Sequence, residues 1–348
     1  MIDLSFVIIG KNAQWSIARL LDSVITHAPP RLATEIIYVD SASTDRTIEI
    51  VSRYPATIIQ LSASQPLCAS AGRYTGTQYA TARYICFLDS DMELLDGWLE
   101  RALKVMDESL EIAAITGIVV DTDSTLTADS ILPIDYSSYH GAKLTGRKSL
   151  GGAVLFRRSA LIQVGSWNPY IISEEEPELC LRIRHAGHRV VRLEYPMARH
   201  YTTPVLAFST LFARRKRGLY LGQGQTIRYY LRNRLLLPYL MQDRYLVTNS
   251  CAVLLAIASG VLSWATMNGL WLLCFLGPLA IVIVLDAIRT RSFYRPLFRL
   301  ISRVVILEGT IRGFLMHPNC PGEFTGDVTF VRRADDILAA ANAPFRPM

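Results

Sequence analysis

The sequence predicts an α/β fold with a mostly parallel sheet in its N-terminal part, followed by a membrane-attached helical part. Three observations lead there. Short apolar runs alternate with segments of helical spacing, the pattern of strands joined by covering helices. Several of those runs end in glycine or aspartate, where a ligand crevice opens in such sheets. Finally, no charged residue occurs between Tyr245 and Leu285.

Leu4 to Ile9 is a strand closed by Gly10, and Ile17 to Ile25 carries apolar residues at helical spacing. Ile36 to Val39 is a second strand, followed by a loop of hydroxyls and carboxylates from Asp40 to Asp45 and a helix from Thr47 to Arg53. Ser43 or Thr44 is placed to cap that helix with a side-chain oxygen. Ile58 to Leu61 is a third strand, Ser70 to Ala82 a helix, and Tyr84 to Leu88 a fourth strand that runs directly into Asp89 and Asp91. Asp40 and the Asp89 to Asp91 pair thus stand at strand ends facing one crevice. The first strand is followed by GKNAQW, which lacks the glycine pattern of a dinucleotide site.

Two carboxylates one residue apart on a strand tip are hard oxygen ligands, suited to Mn2+ or Mg2+ with substrate phosphates completing the shell. The same triplet also suits acidic turn residues opening a helix from Glu93 to Met106.

Five stretches bear on that choice: LSFVIIGKNAQWSIARLLDSV, EIIYVDSASTDRTIEI, SAGRYTGTQYATARYICFLDSDMEL, LGGAVLFRRSALIQVGSW and SEEEPELCLRIRHAGHRVV. In this order and spacing the chain, from Leu4 to Tyr201, resembles the family 2 inverting glycosyltransferases of GT-A fold (the Rossmann-like nucleotide-diphospho-sugar transferases), in their membrane-attached bacterial form. The resemblance implies a metal-dependent transfer of sugar from a nucleotide-sugar donor, with a lean toward uridine, to a lipid-linked or cell-surface glycan acceptor. It places Gly10, Asn12, Asp40, Ser43, Arg73 and Asp89 at the nucleotide sugar. Asp91 and His200 would hold the Mn2+ or Mg2+. Gly151, Gly152 and Trp167 would face the acceptor, and Glu176, with Glu175 as neighbour, would be the catalytic base. The chain departs from the family where Tyr74 follows Arg73 in place of Asn, where Glu176 replaces an Asp, and near Gly10, where Pro and Tyr are missing. SEEEPE also fits an acidic helix start, Trp167 plain packing, and His200 a structural histidine. Alternatives to the transferase reading are a synthase loading sugar onto polyprenyl phosphate, and a catalytically silent scaffold.

The uncharged stretch as one helix would rise ~60 Å, about twice a bilayer's hydrocarbon. Two crossings turning at Met267, Asn268 and Gly269 fit better, with a buried soluble hairpin as the alternative. Arg228, Arg232, Arg234 and Arg244 precede the pair and Arg289, Arg291, Arg295, Arg299 and Arg303 follow it, which predicts both ends on the cytoplasmic side of the inner membrane. The net charge of +6 points to anionic membrane lipids, not to nucleic acid. The start of the chain has no signal-peptide pattern. Six cysteines without CxxC spacing are expected to be packing residues. The expected organisation is a catalytic domain over 1–204, basic interfacial helices over 205–244, a transmembrane hairpin over 245–288 and a basic cytoplasmic tail over 289–348. Gln225 to Tyr229, QTIRY, departs from the Gln-x-x-Arg-Trp signature of processive synthases, and with only two spans single additions are expected.

Overall fold

A computed structural model describes residues 2–125, 131, 133–136, 139, 143–202, 207–242 and 244–333. The chain divides into two units. One runs to Thr203 and resumes at Asn319; the other is Pro204–Pro318.

The first unit opens with β1 (Leu4–Gly10), α1 (Ile17–His27), β2 (Thr34–Asp40), α2 (Thr47–Val51), β3 (Thr57–Leu61), α3 (Ala69–Tyr79) and β4 (Tyr84–Asp89). These four strands lie parallel in the order β3-β2-β1-β4. Both faces are covered, which is why the strands read as continuous apolar runs. Leu4, Phe6 and Ile8 join a core with Ile17, Leu20 and Leu21 of α1. Val7 and Ile9 turn to the opposite core with Ala71, Phe87 and Trp167. The register sets Gly10 beside Asp40 and Ile9 beside Asp89, so the strand ends that carry the motifs share one edge.

The unit continues through β5 (Met92–Leu94), α4 (Trp98–Glu108), β6 (Ile112–Asp123), β7 (Leu144–Gly146), β8 (Val154–Arg157), α5 (Arg158–Gln163), α6 (Glu175–His185) and β9 (Arg189–Thr202). Here the expectation of a mostly parallel sheet gives way to a mixed one. β8 runs antiparallel to β4 and β6, β5 and β7 run antiparallel to β9, and only β6 and β9 pair in parallel.

Two local expectations are corrected. The residues after Asp91 form a strand, not a helix from Glu93, because Met92 and Leu94 point into the core with Glu93 between them. This period of two pairs them with β9. The helix waits until Gly97, in the left-handed region at φ 74, has turned the chain. Neither Ser43 nor Thr44 caps α2. Asp45 accepts from the Thr47 backbone N–H at 3.0 Å, while Ser43 turns to Asp40.

The last described strand, β10 (Val328–Arg332), pairs antiparallel with β3 and closes that sheet edge. Just before it, Phe324 meets Tyr74 and Tyr170 edge to face, with centroids 5.3 and 5.9 Å apart. Residues 289–333 are therefore not a tail. They supply a long helix and the outermost strand, and residues 334–348 lie outside the described residues.

The second unit contains α7 (Phe208–Lys216), α8 (Gly222–Tyr230), α9 (Leu236–Gln242), α10 (Arg244–Thr266), α11 (Leu273–Thr290) and α12 (Tyr294–Leu315). Leu246–Thr266 and Gly269–Thr290 are long and apolar enough to cross a membrane, and most of their side chains are exposed. They are joined where expected: Met267 takes φ 51, and Asn268 accepts the Leu270 N–H at 3.0 Å to start a 3-10 turn. α8, which contains QTIRY, packs on α12 at close backbone contact. A Cβ at Gly224 would overlap the Thr310 carbonyl, and one at Gly313 the Leu221 carbonyl.

Candidate active site

The carboxyl edge of β1, β2 and β4 gathers most of the predicted residues. The β1 to α1 and β2 to α2 loops lock together there. Asn12, at φ 52, receives a hydrogen bond from the Thr44 N–H at 2.8 Å, and its own N–H donates to Ser43 Oγ at 2.8 Å. Gly10 is required by close approach, since a Cβ there would collide with Tyr38 Oη and Ser90. Asp40, expected at the nucleotide sugar, is fully buried. Its carboxylate accepts from the Ser43 N–H (2.7 Å), Ser43 Oγ (2.5 Å) and Gln60 Nε2 (3.0 Å). Asp40 thus orders the loop, and Asn12 and Ser43 are the more exposed members of this wall.

Asp89 ends β4 and Asp91 follows two residues on, and the residue that organises Asp89 is one expected elsewhere. Arg73, on α3, is expected at the nucleotide sugar. Its side chain is only 2% exposed and is bound to three carboxylates: Asp89 at 2.8 Å, Glu175 at 2.5 Å and Glu176 at 3.5 Å. Burial is the largest influence on the guanidinium and works against its charge. Asp89, Glu176 and Glu175 outweigh it and hold Arg73 above its ordinary range. Its plane also lies 5.1 Å over the ring of Trp167. One buried cation therefore ties the first carboxylate of the strand-tip pair to the acidic start of α6.

The two glutamates differ. Glu175 is buried and held by Arg73. Its carboxyl is raised by burial, with Arg73 opposing. Glu176 has 19% of its side chain exposed and only the longer contact to Arg73. Burial, then the neighbouring Glu175, push its carboxyl up to about 8. Glu174 stands just before the helix at φ 62 and is exposed.

Gly152 lies against Asp89. A Cβ there would run into its Oδ2, whereas one at Gly151 would meet open space. We predict that Gly152→Ala displaces the Asp89 carboxylate from Arg73. Nucleotide-sugar affinity should fall at least about tenfold while Gly151→Ala stays near wild type, read by calorimetric titration. Trp167, expected at the acceptor, is 1% exposed and packs edge-on against Phe87 and Phe156 at 5.4 and 5.7 Å. Positive φ at Gly165 and Ser166 turns it inward, so it supports Arg73 and does not face a sugar.

His200, on β9, stands beside the second aspartate. Its Nε2 is 3.5 Å from Asp91 Oδ2, and its Nδ1 is 2.9 Å from Asp121 Oδ1. Asp91, against burial and aided by Asp121, pushes the imidazole up to about 9. Among the described residues no three His, Cys, Asp or Glu side chains cluster as a ready-made metal cage. Asp91 Oδ1, however, is buried with no hydrogen-bond partner among them. A buried carboxylate oxygen left open beside an imidazole nitrogen suits a hard divalent ion that draws its remaining ligands from water and phosphate. Asp121 was missed from sequence, where VVDTDS reads as a strand running into a turn.

The sheet topology is that of a mixed α/β domain whose carboxyl edge carries the candidate site. The family model described as Glycosyl transferase family 2 matches residues 5–165, just under half of the chain. The poly-beta-1,6-N-acetyl-D-glucosamine synthase of Staphylococcus epidermidis is 24% identical over 184 residues, 49% of this chain and 43% of that protein. The chain spans less than half the length of the first curated relatives it matches. Among solved structures, GalNAc-T7 with UDP, GalNAc and Mn2+ aligns with a TM-score of 0.53 at 15% identity, over 72% of this chain and 51% of that one. S. aureus TarS 1–349 in complex with UDP-GlcNAc aligns with a TM-score of 0.51 at 14% identity, over 90% of both chains.

Proposed function

We propose that the protein is an inverting, metal-dependent glycosyltransferase that moves a sugar from a nucleotide diphosphate sugar to a hydroxyl of a lipid-linked or surface-glycan acceptor at a membrane. The observation that carries this reading is the Arg73 cluster. It sets the first of the strand-tip aspartates and a partly exposed glutamate of raised pKa around one crevice. A base whose pKa lies near the working pH takes a proton efficiently from an attacking hydroxyl.

In this reading Glu176 accepts the acceptor's proton, and Arg73 and Glu175 fix its position without touching substrate. Asn12 and Ser43 line the nucleotide wall, and the nucleotide-bearing neighbours favour uridine. Asp91 and His200 would hold Mn2+ or Mg2+, which when bound neutralises charge on the departing diphosphate. The helices α10 and α11 cross the membrane and return. Arg228, Arg232 and Arg234 before them and Arg289 and Arg291 after them keep both ends on the cytoplasmic side.

The test is a panel of UDP-, GDP- and CDP-sugars offered to the full chain in membranes, with lipid extract as acceptor, with and without Mn2+. One donor is expected to turn over only with metal, and Asp91→Ala to lose at least about 100-fold. Failure to bind or consume any donor with any metal would overturn the proposal in favour of a non-catalytic scaffold.

A further inference from the structure

His200 is bracketed within the sheet. β9 pairs on one side with β5, where His200 faces Met92, the residue after Asp91. On the other side it pairs with β6, where His200 faces Asp121. Backbone register, not chance side-chain reach, therefore sets a carboxylate on each flank of the imidazole. The two flanks are unequal. The 2.9 Å from Nδ1 to Asp121 is a good hydrogen-bond length, and the 3.5 Å from Nε2 to Asp91 is too long for one. Asp91 also keeps its open Oδ1.

An imidazole binds a cation through one nitrogen only after that nitrogen gives up its proton, and the hydrogen bond made by the other decides which nitrogen this is. We propose that Asp121 is a positioning residue for the divalent-cation site: by accepting the Nδ1–H of His200 it fixes the ring plane and the tautomer in which the Nε2 lone pair faces Asp91. This rests on the reading of Asp91 and His200 as the metal pair. When the cation binds, the Nε2 proton leaves to solvent and the Nδ1 proton stays on its hydrogen bond to Asp121. The Asp121 side chain is 73% exposed, so as a mere surface ion pair it would contribute little to stability and nothing to metal affinity.

The experiment is a titration of the full chain with Mn2+, with and without UDP, in which free Mn2+ is read by electron paramagnetic resonance and metal-free melting is measured alongside. Asp121→Ala is expected to weaken Mn2+ binding about 10- to 100-fold, the usual loss for such outer-shell partners, with melting unchanged. Asp121→Asn keeps the volume, yet its amide can turn an N–H toward Nδ1 and favour the opposite tautomer, so it should weaken binding too. Asp121→Glu, at a site open to solvent, should restore most of the affinity. If Asp91→Ala loses Mn2+ while Asp121→Ala and Asp121→Asn bind like wild type, Asp121 has no such role and the metal pair stands. If wild type binds no Mn2+, or Asp91→Ala binds it as tightly as wild type, the metal pair itself is wrong and the role of Asp121 falls with it.

Discussion

Glu176→Gln is expected to lower sugar transfer by about 10²- to 10⁴-fold while leaving donor affinity within a few-fold of wild type. The amide keeps the shape and the contact distance to Arg73 but cannot accept a proton. The pH profile carries a second signature. The carboxyl is pushed up to about 8 and only its anion is a base, so kcat/KM should rise with pH through a midpoint near 8. That limb should vanish from whatever activity the Gln variant retains. Stability runs the other way. A carboxyl whose pKa is raised on folding favours the fold when protonated, and that contribution is lost as pH rises through the folded value. Above pH 8 the variant should therefore melt a few degrees higher than wild type, and calorimetry across pH 5 to 9 checks it. A profile flat from pH 6 to 9, or a Gln variant that retains full transfer, would remove Glu176 from the role of base.

Arg73→Leu should have the largest effect on stability. It leaves Asp89, Glu175 and Glu176 facing one another with no cation, and breaking a buried ion pair by removing one partner costs about 3–5 kcal/mol. For a unit of this size that is a fall of roughly 10 °C in Tm. Protonation relieves the repulsion, so the deficit should be smaller at pH 5 than at pH 8. Arg73→Lys keeps the charge but cannot span three carboxylates with a planar fork, and should recover only part of the loss. Equal melting of wild type and the Leu variant at pH 8 would show that the cluster is not held by Arg73.

The parallel half of the fold was legible because each strand is buried on both faces and so announces itself as an unbroken apolar run. The hairpin was legible because so long an uncharged stretch has no polar face to turn toward water. The end of β4 at Asp89 and the acidic start of α6 were legible from the apolar run and from SEEEPE. What could not be read was which residues meet. Arg73 and Glu175 are 102 positions apart, and no local spacing records their contact. Arg73 therefore looked like a phosphate ligand and Trp167 like a sugar platform, although each is packed beneath the crevice supporting the other. β5 was hidden because three residues are too few to show a period against the helix that follows. Asp121 was hidden because its meaning comes from the strand beside it.

The return of the chain to its first sheet bears on the order in which the protein is made. β3 is among the first strands to leave the ribosome, yet its outer edge stays unpaired until β10, synthesised after all of α7 to α12, arrives to cover it. During that interval the edge is open to pairing with other chains. Closure of the sheet thus comes after both apolar helices have emerged, and a chain cut short after α12 would carry every residue of the candidate active site and still lack its finished edge.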